Sequence, residues 1–111
     1  MIYLVIWFHF IADFLLQTDK MALNKSTSMK WLSSHIMAYS APMLLLGWKF
    51  ALINGLAHFA TDFVTSKITS RLWAKGDRHG FFAVIGADQA LHATVLIATI
   101  PLINPVWNWL T

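Results

Sequence analysis

The stretch A-L-I-N-G-L-A-H-F-A-T-D-F-V-T-S-K, from Ala51 to Lys67, decides the fold. Its apolar residues run around every side of a helix, yet Asn54, His58, Asp62 and Ser66 recur at every fourth position. Residues four apart on a helix lie one above another on the same face. A helix that is apolar all round, apart from one ionisable stripe, suits a bilayer outside and a polar centre inside. The same arrangement appears twice more. H-F-I-A-D-F-L-L-Q spans His9 to Gln17, and D-Q-A-L-H spans Asp88 to His92.

Composition extends this reading to the whole chain. The protein has 111 residues, 58% of them hydrophobic and 12% charged. Soluble domains carry roughly a quarter charged residues, and so short a chain could not hide this much apolar surface within itself. The length allows one domain, residues 1–111. Four apolar runs are expected to be helices, at about 2–17, 31–48, 50–72 and 80–103, the first with room to continue toward Leu23. The turn between the second and third runs is placed at Gly47-Trp48-Lys49 in preference to Asn54-Gly55, because it gives spans of similar length. Pro42 is expected to kink or disturb the second helix, and Pro101 and Pro105 to end the fourth. The expected fold is an all-α, four-helix transmembrane bundle.

Charge sets the expected orientation. Lys20, Lys25 and Lys30 fall in the first connection, and Lys67, Arg71, Lys75 and Arg78 in or beside the third. The middle turn carries only Lys49. With four spans, the two basic connections share a side, which the positive-inside rule makes cytoplasmic, so both termini face outward. Trp31 and Trp73 would mark the inner interface, and Trp48, Trp107 and Trp109 the outer one. No basic leader precedes the first apolar run, which is expected to remain as a membrane helix. The formal charge of +3 comes from these connections. It favours contact with an anionic leaflet over binding of nucleic acid. The expected location is a bacterial inner membrane, crossed several times, with lipids as partners and a homo-oligomer as a plausible assembly.

The three His/Asp pairs carry the expected chemistry. The first and third helices read His then Asp, and the fourth, running the other way, reads Asp then His. All three aspartates should therefore lie toward the cytoplasm, with the histidines one turn farther out. Three carboxylates gathered in low dielectric repel one another, and a divalent cation resolves the conflict. His9, Asp13, His58, Asp62, Asp88 and His92 are the expected ligands of one or two ions of zinc, manganese or iron. Magnesium suits imidazole less well. The absence of cysteine removes thiolate ligands and disulfides from consideration. Interhelical hydrogen bonding or a proton relay would use the same residue types.

Other polar residues fall into place around these six. Gln17, Asn54 and Gln89 are expected to orient ligands, with helix-packing contacts as the plainer role. Lys67, Arg71 and Arg78 could hold a lipid headgroup, or serve topology alone. His35, with Tyr39 one turn on, could face the site from the fourth side but is expected at the membrane interface, and His79 in solvent.

These motifs together resemble domain-of-unknown-function family 3307, a set of small bacterial and phage membrane proteins. The resemblance rests on His9–Gln17, His58–Lys67 and Asp88–His92, with Lys67 matching a lysine after the second pair. It implies a polytopic membrane protein and supplies no activity. A looser likeness links the motifs to membrane-bound metal-dependent hydrolases. The expected function is accordingly hydrolysis of a lipid-phosphate or another amphiphile at an intramembrane metal site. The alternatives are a cation or proton conduit, and a phage-encoded membrane factor that acts by binding a partner around a structural metal. No catalytic nucleophile or acid is evident.

Overall fold

The computed structural model describes residues 1–109. All its regular structure is helical, with no strand among these residues. Helix α1 spans Ile2–Phe10 and passes directly into a π-helical turn, Ile11–Leu15. The short α2, Asp19–Asn24, begins at Thr18, whose Oγ1 accepts a hydrogen bond from the Met21 amide at 3.2 Å. Helix α3 covers Met29–Met43 and tightens into a 3-10 turn at Leu44–Leu46. Pro42 stands in the last turn of α3, where its missing N–H precedes the change of helix type. Helix α4 is the longest, Trp48–Ala74, followed by α5, Arg78–Ala98. Asp77 caps α5 by accepting from the Gly80 amide at 2.8 Å. Two 3-10 turns, Ile100–Leu102 and Val106–Asn108, complete the described chain.

Gly47 makes the turn between α3 and α4, at φ 130° and ψ 145°. Asn54 and Gly55 lie inside α4. A Cβ at Gly47 would stand 3.0 Å from the Asn104 amide nitrogen. Glycine is therefore required by both the positive φ and the returning chain. That chain is tied there by a hydrogen bond from the Asn104 amide to the Leu46 carbonyl at 2.9 Å.

The four longer helices close a ring. Helix α4 packs against α3 and α5, and α1 packs against the same two. The molecule is elongated, 54 × 25 × 20 Å. At the Gly47 end the ring is filled by Val5, Met43, Leu46, Phe50, Ala51 and Leu96. Farther along its interior becomes polar: His9, Asp13, His35, His58, Asp62, Asp88 and His92 are all buried. The exterior is the reverse. Tyr3, Trp7, Leu15, Met37, Leu56 and Phe82 are each more than 60% exposed. Soluble proteins bury their large apolar side chains and expose their charges; this chain departs from that pattern in part, with Asp13, Asp62 and Asp88 buried and many large apolar side chains exposed.

Length and hydropathy treat the helices unequally. Arg78–Ala98 is long and apolar enough to cross a membrane, and Ile2–Leu15 is apolar but shorter. Helix α4 has the length, 27 residues, but carries the buried Asn54, His58, Asp62 and Ser66. The first helical run stops at Leu15, short of Gln17, and α3 with its 3-10 turn ends at Leu46.

Candidate metal centre

Each helix of the ring delivers polar side chains to one buried cluster. The π turn supplies Asp13, α3 supplies His35 and Tyr39, α4 supplies His58, Asp62 and Thr65, and α5 supplies Asp88, Gln89 and His92. The wider turn has a purpose at Asp13. The Leu16 amide bonds to the Ile11 carbonyl, five residues back, at 3.0 Å. A π turn rotates the residues that follow it relative to an α-helix. Asp13 Oδ1 reaches His35 and His58, while Asp13 Oδ2 remains 3.8 Å from His9.

The tightest part of the cluster has four donors. His35 Nε2 and His58 Nε2 face each other at 2.9 Å. Asp13 Oδ1 lies 3.2 Å from each of these nitrogens. Asp62 Oδ2 lies 3.1 Å from His35 and 3.4 Å from His58. Ligand bonds of about 2.1 Å place neighbouring donors about 3.0 Å apart in an octahedron and about 3.4 Å apart in a tetrahedron. Asp13, His35 and His58 have the spacing of donors that could hold a common ion, and Asp62 approaches both imidazoles from the α4 side.

A wider set continues from it. His92 Nδ1 lies 3.5 Å from Asp88 Oδ2 and 3.9 Å from Asp13 Oδ2, and His92 Nε2 lies 3.9 Å from Asp62 Oδ1. Neither ring nitrogen of His92 makes a hydrogen bond, although the residue is buried. An unpaired buried polar group costs about 1–3 kcal/mol, so the ring nitrogens of His92, one N–H and one lone pair, lack the partners that burial calls for. Three overlapping groups could hold a metal ion: His9 with Asp13 and His92, Asp13 with His35 and His58, and His58 with Asp62 and His92.

Ring stacking and hydrogen bonds orient these groups. The His58 ring lies between Tyr39, at 4.1 Å, and His92, at 4.0 Å, in two stacked contacts. Gln89 donates to Asp13 Oδ2 at 3.1 Å and to Asp88 Oδ2 at 3.2 Å, and accepts from His9 Nε2 at 2.9 Å. His9 Nδ1 lies 3.1 Å from the Tyr39 hydroxyl, so both nitrogens of His9 have protein partners. The Thr65 hydroxyl donates to Asp88 Oδ1 at 2.6 Å. Lys25, from the end of α2, donates to Asp62 Oδ2 at 2.9 Å.

The six expected ligands are therefore together, with a different internal order. The carboxylates and imidazoles interleave instead of forming two layers, because Asp13 stands level with His35 and His58. His35 is the largest departure from the sequence reading. Its side chain is 0% exposed and faces the cluster from α3, the less favoured of its two expected places. Its i,i+4 spacing to Tyr39 was the available signal, weakened by having no acidic partner on α3. Nothing in the sequence distinguished Lys25 from the other basic loop residues, or Thr65 from other helix threonines.

Gln89 stands among the ligands, whereas Asn54 bonds to the Phe50 carbonyl and the Thr99 hydroxyl, both at 2.9 Å, and ties α4 to the end of α5. Gln17 lies beyond the π turn, and its buried Oε1 makes no hydrogen bond. Lys67 Nζ rests 3.9 Å from the centre of the Phe63 ring, and Arg78 stacks on Trp73 at 3.5 Å while bonding to its carbonyl. Neither joins the cluster. An apolar cavity of about 530 Å³ between α3 and α4, lined by Ile36, Ser40, Leu52, Gly55 and Phe59, contains none of the cluster residues.

The family described as "Protein of unknown function (DUF3307)" matches residues 1–111. The chain belongs to that family. No curated protein and no solved structure matches this DUF3307 chain.

Proposed function

We propose that this chain is a four-helix transmembrane bundle of the bacterial inner membrane, both termini outside, that hydrolyses a lipid-phosphate or similar amphiphile at an intramembrane metal centre. The exposed apolar side chains on every helix of the ring, set against the buried His/Asp cluster, support the membrane setting, since lipid is a solvent in which both are stable. Membrane lipids and a second copy of the chain are the natural partners of such a surface.

The observation that carries the metal reading is the tetrad of Asp13, His35, His58 and Asp62, with five donor–donor distances of 2.9–3.4 Å. Charge agrees with it. The cluster holds the three carboxylates of Asp13, Asp62 and Asp88 against the single ammonium of Lys25, which leaves two negative charges when the imidazoles are neutral. One divalent ion balances them. Zinc, manganese and iron suit mixed imidazole and carboxylate donors. Such an ion supplies Lewis acidity, which polarises a phosphoryl or carbonyl oxygen and acidifies water. The chain's own part is to fix the donors: stacked rings hold His58, Gln89 steadies Asp13, and Thr65 holds Asp88, the carboxylate farthest from the tetrad and best placed to take a proton.

Metal analysis of protein purified in detergent tests the reading. Wild type is expected to hold stoichiometric metal, and His35→Ala and Asp62→Asn to lose most of it while keeping their helix content. Wild type that is folded and metal-free would end the proposal. A turnover screen over phosphate-bearing lipids follows.

A second reading has one observation in its favour. Lys25, Asp62, His58, Asp13, Gln89, His9 and Tyr39 form an unbroken chain of contacts along the interior. Such a chain could pass protons or cations. Proton flux in proteoliposomes that Asp62→Asn abolishes, from metal-free protein without lipid turnover, would favour a conduit.

A further inference from the structure

The cluster is closed at one end and charged at the other. Val5, Met43, Leu46, Phe50 and Leu96 fill the ring beside the Gly47 turn, each at most 2% exposed. At the α2 end stands Lys25, whose side chain is 19% exposed while that of its partner Asp62 is 3% exposed. Among the described residues, Lys25 is the one lysine or arginine within ion-pair distance of a carboxylate. Its Nζ touches Asp62 Oδ2, the oxygen that also belongs to the tetrad. Lys25 thus touches the candidate metal donors while its own side chain remains partly exposed.

From this position we propose that Lys25 is the substrate-binding cation, and that the substrate presents a phosphoryl anion instead of a neutral ester. The inference rests on the metal reading above and narrows its substrate class. Three carboxylates and a divalent ion leave one negative charge, which would repel an anion in a medium of low dielectric. The ammonium of Lys25 cancels that charge at the partly exposed edge of the cluster. An oxygen of a phosphoryl group could then meet the ion while a second meets Lys25, as lysine binds phosphate elsewhere as a point charge. A neutral ester would have no use for a cation there. Lys67 and Arg78 are held on Phe63 and Trp73 and do not supply one.

Manganese-loaded protein in nanodiscs tests this, with water-proton relaxation reporting access to the ion. One arm adds inorganic phosphate to phosphatidylcholine discs, and the other builds phosphatidate into the discs. Wild type should respond to at least one. A response to both assigns phosphoryl chemistry in general, and a response to phosphatidate alone assigns a lipid headgroup. Lys25→Met should weaken the response about tenfold or more with manganese stoichiometry unchanged, and Lys25→Arg should restore it to within a few-fold. Lys25→Gln serves in place of Lys25→Met should that variant lose helix content. A Lys25 that merely staples α2 to α4 predicts equal phosphate affinity in Lys25→Met and wild type, and that result overturns the inference. So does wild type that binds manganese but neither phosphate source. Wild type that binds no manganese overturns the metal reading itself and this inference with it.

Discussion

At the residue scale, Asp13 and His35 show how one side chain is committed by several neighbours. Asp13 uses Oδ1 toward His35 and His58, and Oδ2 toward Gln89, so the same carboxylate joins the tetrad to the wider donor set. Replacing Gln89 by leucine removes the amide that holds Oδ2 and leaves the ring of His9 without its acceptor. Loss of a hydrogen bond that orients a ligand commonly lowers metal affinity about 10–100-fold. Gln89→Leu is expected to weaken metal binding by that amount while the stoichiometry at saturation stays the same, as measured by competition with a chromophoric chelator. A ligand variant such as His35→Ala should lower the stoichiometry instead. The pairs at positions 9 and 13, 58 and 62, and 88 and 92 were legible because helical spacing places them on one face. Which nitrogen meets which oxygen was not, since that depends on how four helices rotate against each other. His35 needed a partner from another helix to reveal its role, and that partner is separated from it by at least 22 residues of sequence.

At the element scale, the irregular turns set the geometry. The π turn at Ile11–Leu15 aims Asp13, and no sequence pattern marks it, because the run His9–Gln17 reads as an unbroken apolar helix. The apolar runs themselves were readable, but their ends shifted wherever capping and turn chemistry competed with hydrophobicity. The clearest case is α5, which begins at Arg78 through its Asp77 cap, before the apolar run starts. Gly47 was recognised as the turn, and its φ of 130° explains why glycine stands there. Gly47→Ala forces a backbone conformation that costs roughly 1–3 kcal/mol in non-glycine residues, and it crowds Asn104. It is expected to lower the thermal midpoint in detergent. Gly55 makes a different contribution. A Cβ there would stand 2.6 Å from Ser40 Oγ, so α3 and α4 approach closely at that level. Gly55→Leu should separate α3 from α4, and the loss of metal with it would be read by the same chelator competition.

At the scale of the whole molecule, the four contacting helices explain why three helices with His/Asp pairs need a fourth. A ring of α1, α3, α4 and α5 buries its polar stripes against one another and leaves apolar side chains such as Tyr3, Met37 and Phe82 outside. An exposed apolar surface of more than a few hundred Å² marks a site of contact with lipid or protein, and here it covers every helix of the ring. In a bilayer the basic connections must then lie on one side, Lys20 and Lys75 together and Lys49 opposite. Topology can be tested without background labelling because the chain contains no cysteine. Lys20→Cys, Lys49→Cys and Lys75→Cys each place one thiol at an exposed position. A membrane-impermeant maleimide should label Lys49→Cys on intact spheroplasts, and Lys20→Cys and Lys75→Cys only after lysis. Labelling of Lys20→Cys and Lys75→Cys from opposite sides is incompatible with an even number of helices between them. It would break the common direction of α1 and α4, both of which read His then Asp.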